Sequence, residues 1–385
     1  MVNSDATMAP DRLIALEELI RRDTETGLYH GAVLKVARHG KPVIDLTVGH
    51  ADAKRTRPLA SDDVFSIFSI TKALINVLVL RSIELGRFAL TTRMSELIPE
   101  FTGEPRQRST IFHFLTHTTG MPGVWEPSPG IVLHELDESV VAVVAHVHGT
   151  VEPGTRCDYS PMANHVLLAE ALRRTDPAGR TIQQIIVEDL TDPLGMTDTF
   201  MGIRSHMRER HVVPDMRGVI PIRATSPLSP GDQGLYTASI NSSPWAGAAS
   251  TASDLQRLME MLRCRGTLDG VRILSPRMVS LATRVWTGDL PNELYRAVAL
   301  RAGYAVPPAS IGLGFNVRGD GIDVTQLGTL TSPSTFGNYG AGSALVWVDP
   351  ELDLSFVCLT AGLLPQAANI ARFQRISDVV VAAAL

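Results

Sequence analysis

The sequence predicts an α/β domain joined to an all-α one: an antiparallel β-sheet flanked by helices, with a helical domain inserted into it. Three observations lead there. Hairpin patterns lie near both ends of the 385 residues, helix-period segments close both termini, and the apolar spacing in the middle of the chain is mainly helical.

The first hairpin is GAVLKVARHGKPVIDLTVGH (31–50), two β-rich runs around the turn formers Arg38, His39, Gly40, Lys41 and Pro42. The second, GSALVWVDPELDLSFVCLT (342–360), turns at Asp349 and Pro350. Hairpins so far apart are expected to join in one discontinuous sheet. LIALEELIRRDTE and NIARFQRISDVVVAAAL, both of helical period, are expected to cover one of its faces. Between them, TKALINVLVLRSIELG, DESVVAVVAHVHG, PMANHVLLAEALRR and TIQQIIVEDLTDPLG repeat apolar residues at intervals of three and four. The expected division is a sheet domain from 1–75 and 245–385, a mainly helical domain with a long loop from 76–244, and an active site between them. From 202 to 247 the chain is rich in Pro, Gly, Ser and Arg; it either borders a substrate site or runs as a plain surface loop.

Composition narrows the function. At 44% hydrophobic and 19% charged residues the chain has the apolar material for a large core. Its net charge is −5 and it has no Lys/Arg-rich run, which argues against nucleic acid and anionic membranes as partners. The N-terminal stretch is polar and then amphipathic rather than signal-like, so a cytoplasmic location is expected. No apolar run approaches the ~18 residues of a membrane span. Cys157, Cys264 and Cys358 are odd in number and far apart, which fits buried free thiols rather than disulfides or a zinc site. Asn241-Ser242-Ser243 matches a glycosylation acceptor only in form. G-x-S-x-G, P-loop and H-E-x-x-H patterns are absent, and His113 and His117, spaced i, i+4 without an acidic companion, read as structural.

Three segments could carry chemistry. VFSIFSITKALINVLVL places Ser69 just before a helix and Lys72 one turn inside it, so that the amine can reach the hydroxyl. The helix N-terminus favours an oxyanion there, and a lysine among Phe68, Leu74 and Ile75 can lose its proton near neutrality because burial disfavours the charged form. A serine hydroxyl needs such activation. Alone, S-x-x-K is weak: roughly one such spacing is expected by chance in a chain this long. The strand-to-helix context strengthens it. In PGTRCDYSPMANHVLLAEAL, Tyr159 precedes Ser160, a good N-cap, and Pro161, suited to the first helical position. A lysine cation would drive this tyrosine toward phenolate and make it a proton shuttle; otherwise it is an ordinary half-buried aromatic. STFGNYGAGSALVWVDP enters a strand through Gly337, Gly340 and Gly342, and such an edge is either a tight turn or a donor of N–H to an oxyanion.

Together these segments resemble the serine β-lactamase and penicillin-binding superfamily, most of all its esterase branch, the family VIII carboxylesterases. FLTHTTGMPG (114–123), DPLGMTDTF (192–200), AGAASTASDLQRLM (246–259) and FGNYGAG (336–342) extend the likeness over most of the chain. The resemblance implies a β-lactamase/transpeptidase-like fold, an acyl-enzyme on Ser69, acid and base duties shared by Lys72 and Tyr159, and an oxyanion held by the backbone N–H groups of Ser69 and Ala341. It implies no metal and no cofactor. Two departures stand out: Tyr159-Ser160-Pro161 lacks the asparagine of Tyr-x-Asn, with Asn164 out of register, and Asn338-Tyr339-Gly340 stands where Lys-Thr-Gly is usual. Without that lysine a carboxylate loses its counter-ion, and uncharged esters are favoured. The expected function is thus a serine hydrolase of carboxylic esters acting on a small-molecule substrate. Alternatives are an acyltransferase to an alcohol acceptor, a residual β-lactamase or D-aminopeptidase-type amidase, and a non-catalytic scaffold. Asn338, Tyr339, Gly340, Trp125, Tyr236 and Trp245 are the candidate substrate-binding residues.

Overall fold

The computed structural model describes residues 8–124, 135–215, 239 and 241–384. Its strands are β1 (Gly31–Arg38), β2 (Lys41–Gly49), β3 (Val64–Ser66), β4 (Phe200–Met201), β5 (His211–Val212), β6 (Ala248–Ser250), β7 (Thr267–Leu268), β8 (Val271–Arg272), β9 (Asn316–Val317), β10 (Phe336–Gly340), β11 (Ala344–Asp349) and β12 (Leu354–Ala361). Six of them form the main sheet, in the order β2-β1-β12-β11-β10-β9. The two hairpins join where β1 runs antiparallel to β12, with Gly31 opposite Ala361 and Arg38 opposite Leu354.

Local sequence explains the hairpins. The first turn is tighter than the five turn-forming residues suggest: only His39 and Gly40 lie between the strands, at φ +51° and +73°, and two left-handed residues are what a type I′ two-residue hairpin requires. In β11 and β12 every residue is buried, because both faces of the sheet are covered. Leu345, Trp347, Phe356 and Cys358 face α1 (Pro10–Glu25) and the C-terminal helix Gln366–Ala383; Val346, Val348, Val357 and Leu359 join the larger core on the other side. Trp347 stacks on its cross-strand partner Phe356, with ring centres 4.7 Å apart.

On that other side lie the amphipathic helix Ala252–Arg263, which packs against β11 and β12, and the helical block. α2 (Thr71–Glu84) is apolar on nearly all sides and is buried from Thr71 through Leu80, as a central core helix should be. It packs against the helix Pro161–Thr175. A small sheet, β4-β6-β3-β5, lies at the head of α2. Two of the cysteines are buried as expected, whereas Cys264 is exposed at the end of its helix. Most of the Pro/Gly/Ser-rich excursion lies outside the described residues, and no described helix is long and apolar enough to cross a membrane.

Candidate active site

The segment from Ser66 to Thr71 is held from both ends. Ile67 N–H donates to Ala248 O at 3.0 Å, and Thr71 Oγ1 accepts from Ala248 N–H at 3.0 Å, which ties the head of α2 to β6. Between these bonds the chain makes a single 3₁₀ turn, Phe68–Ile70, entered through Phe68 at φ +47°. A left-handed phenylalanine is strained by about 1–3 kcal/mol. The turn swings Ser69 out of the strand direction and onto the helix mouth, where it is 9% exposed.

Lys72, one turn on, is 4% exposed. Its Nζ donates to the main-chain carbonyl of Ser69 at 3.1 Å and to the Tyr159 hydroxyl at 2.6 Å, and that hydroxyl donates to Ser69 Oγ at 3.1 Å. The route from amine to serine hydroxyl therefore runs through Tyr159. Burial holds the Lys72 amine well below its ordinary pKa, which favours the neutral base. The same enclosure raises the Tyr159 phenol, only partly offset by its bond to Ser69. Against the expectation of a phenolate, burial disfavours both the Lys72 cation and the Tyr159 phenolate, and a phenolic Tyr159 can pass a proton between its neighbours. Ser160 also departs from expectation, because its Oγ donates to Met121 O at 2.9 Å and makes no helix cap.

His117 completes the wall behind Tyr159, and sequence reasoning took it for structural. It follows the short helix Ile111–Leu115 at φ +56°, a turn that lays its ring against Tyr159 with centres 4.9 Å apart. Its Nδ1 accepts from Asn164 Nδ2 at 3.1 Å and from the Ser160 N–H at 3.4 Å, so the ring carries its proton on Nε2. Burial, with Lys72 nearby, pushes its pKa down to about 3. The HTTG segment offered a signal in the form of a histidine next to helix-ending threonine and glycine residues, but its contact with Tyr159 arises only from the fold.

A cavity opens beside this cluster, lined by Lys72, Asn76, His117, Tyr159, Asn338 and Tyr339 and by the strand entry at 314–316. Asn76 Nδ2 and Asn338 Nδ2 both donate to Gly314 O, at 2.8 and 3.1 Å. Gly340 faces the carbonyl of Ile67 so closely that an added Cβ would lie 2.5 Å from it; only glycine lets β10 approach the Ser69 turn. Ala341, next in the chain, packs at the edge of the main core. Trp245 is 1% exposed within that core and is not among the cavity-lining residues; Trp125 and Tyr236 lie outside the described residues.

A family model described as Beta-lactamase matches residues 16–380. The chain belongs to that family. Among curated relatives of this beta-lactamase-family chain, Esterase EstB of Burkholderia gladioli is 29% identical over 371 residues, covering 86% of this chain and 85% of the relative. Among solved structures, a penicillin-binding protein homologue from Caulobacter crescentus superposes with a TM-score of 0.78 at 25% identity, covering 98% of each chain. A family VIII carboxylesterase does so with a TM-score of 0.76 at 21% identity, covering 96% of this chain and 98% of the other. The β-lactamase/penicillin-binding fold expected from the sequence is the fold of this chain.

Proposed function

We propose that this chain hydrolyses uncharged carboxylic esters of short- to medium-chain acids through an acyl-enzyme on Ser69. One observation carries the reading: the continuous chain of contacts from Lys72 Nζ to Tyr159 Oη to Ser69 Oγ, in a pocket where Asn338 leaves no cation to hold a carboxylate. The likeness to Esterase EstB over most of both chains supports it.

In the first half-reaction Ser69 Oγ bonds to the ester carbonyl carbon while its proton passes to Tyr159 and that of Tyr159 to Lys72. The oxyanion gathers between the N–H groups of Ser69 and Ala341. As the carbon–oxygen bond to the alcohol breaks, the relay reverses and Tyr159 protonates the departing oxygen. Water repeats the sequence on the acyl-enzyme and releases the acid. The proton returns to the leaving group through the residue that took it from the serine, so no carboxylate or charged histidine is required.

The test is intact-mass measurement after a fluorophosphonate, together with p-nitrophenyl acetate turnover, on the native chain and on Ser69→Ala. We expect one covalent adduct, mapped to Ser69 and absent from the variant, and a fall in kcat of roughly 10⁴-fold or more. Equal turnover by both proteins would overturn the reading.

A further inference from the structure

The Lys72–Tyr159–Ser69 relay leaves polar atoms of the pocket outside it, among them one on Asn338 and one on His117. Asn338 is 4% exposed, and its orientation is fixed because Nδ2 must face the carbonyl of Gly314. Its Oδ1 is thereby left buried with no hydrogen-bond partner. A buried carbonyl oxygen without a donor is a cost that native proteins rarely carry without a use. Across the same cavity His117 has the complementary property. With Nδ1 taken by Asn164 and Ser160, its proton is on Nε2, and that N–H has no partner among the described residues.

The cavity therefore offers one unused acceptor and one unused donor, both uncharged. The smallest group that satisfies both is a hydroxyl, which donates to a carbonyl oxygen while it accepts from an N–H. A carboxylate would set its charge against Asn338 Oδ1, and an alkyl group would leave both atoms unpaired. The position of the cavity decides which half of the substrate bears the hydroxyl. It meets the reacting cluster at Lys72 and Tyr159 rather than at Ser69. Tyr159 is the residue that protonates the departing oxygen, so a group lodged beyond it is carried on the leaving alcohol. We propose that Asn338 and His117 bind a second hydroxyl on the alcohol half of the ester, making monoesters of diols and polyols the preferred substrate class. This rests on the ester-hydrolase reading of the same site and adds the identity of the leaving group to it.

The test compares 2-hydroxyethyl butanoate with n-propyl butanoate, which have the same acyl group and equal numbers of heavy atoms and differ by a hydroxyl in place of a methyl. Each kcat/KM is divided by the rate of hydroxide-catalysed hydrolysis of the same ester, which removes the inductive advantage of the hydroxyl. For the native protein we expect the hydroxyethyl ester to be favoured by about tenfold or more, since the analogue leaves the buried Asn338 oxygen unpaired. In Asn338→Leu, close in shape but without the acceptor, that ratio should fall toward one. A native ratio at or below one overturns the proposal without any variant. A high ratio that persists in Asn338→Leu overturns the assignment to Asn338. Hydrolysis of both esters with no preference leaves the esterase reading standing, whereas failure to hydrolyse either, with no adduct at Ser69, defeats that reading instead.

Discussion

Two buried bases, one at each side of the main sheet, meet the same environment and answer it differently. Lys72 at the head of α2 and Arg372 in the C-terminal helix are 4% and 0% exposed, and neither has an ion-pair partner among the described residues. Burial pushes the Lys72 amine well below its ordinary pKa, whereas Arg372 comes down only to about 10 and keeps its charge at neutral pH. Arg372 directs that charge at neutral oxygens: Thr360 Oγ1 at 2.9 Å, Gly342 O at 3.0 Å, and Asn369 Oδ1. Its guanidinium also lies over the rings of Phe373 and Tyr29, at 4.2 and 5.0 Å. An ammonium is a compact point charge that burial can strip of its proton, while a guanidinium starts too high to lose one. Lysine therefore stands where a proton has to move, and arginine where a charge has to stay. Gly342 immediately follows Ala341, so Arg372 anchors the turn whose N–H is assigned to the oxyanion.

The largest test of this contrast is Lys72→Met. Removing the base should lower kcat by roughly 10⁴-fold, with KM little changed. Stability should move the other way, because the variant no longer buries an amine that the unfolded chain would protonate. Between the depressed native pKa of Lys72 and its ordinary value near 10.5, the unfolded chain binds a proton that the native one does not, so native stability rises with pH. The variant's advantage should be greatest at and below the native pKa of Lys72 and fade as pH approaches 10.5. Thermal unfolding across that range reads it; a gain of ~1 kcal/mol at neutral pH corresponds to about 1 °C in Tm for a chain of 385 residues. A lower Tm for the variant would mean that Lys72 is a charged structural partner and not a neutral base.

Tyr159→Phe sharpens the same point with a smaller effect. It keeps the ring against His117 but removes the hydroxyl that links amine to serine. A loss in kcat of roughly 10²–10³-fold is expected, in the range of proton-transfer catalysis. Retention of activity within about threefold would show that Lys72 serves Ser69 without the intermediary.

The juxtaposition of Ser69, Lys72 and Tyr159 was legible only in combination: a three-residue spacing that puts two groups on one helical face and Ser-Pro at the start of another helix are weak alone, and the family resemblance joined them. The sheet was legible too, since each hairpin carries its own turn. What could not be read is what the fold assembles at a distance. The contact of Asn76 and Asn338 with Gly314 spans 238 residues in one case and 24 in the other, and no periodicity marks it. VFSIF reads as strand through Phe68, although the strand stops at Ser66 and the backbone turns left-handed at Phe68. Trp245, beside a segment of loop-like composition, reads as a candidate pocket residue, but its ring is in the core, two residues before Gly247, whose carbonyl accepts from the Gly202 N–H.

The smallest expected catalytic effect comes from the other base. Arg372→Met removes the donors to the buried Asn369 Oδ1 and Thr360 Oγ1, while Gly342 O keeps one donor in the Leu364 N–H at 3.0 Å. Unpaired buried acceptors cost ~1–3 kcal/mol each, and relief from burying the guanidinium offsets part of that. A net loss of ~2 kcal/mol, or about 2–3 °C in Tm for a chain of 385 residues, is therefore expected, opposite in sign to Lys72→Met. Because Gly342 O, in the turn at Ala341, loses one of its two donors, kcat should fall by about tenfold with KM nearly unchanged, the signature of a donor that matters only once the oxyanion has formed. Should Arg372→Met instead raise Tm like Lys72→Met, both bases would be burdens retained for the reaction, and the contrast between mobile proton and fixed charge would fail.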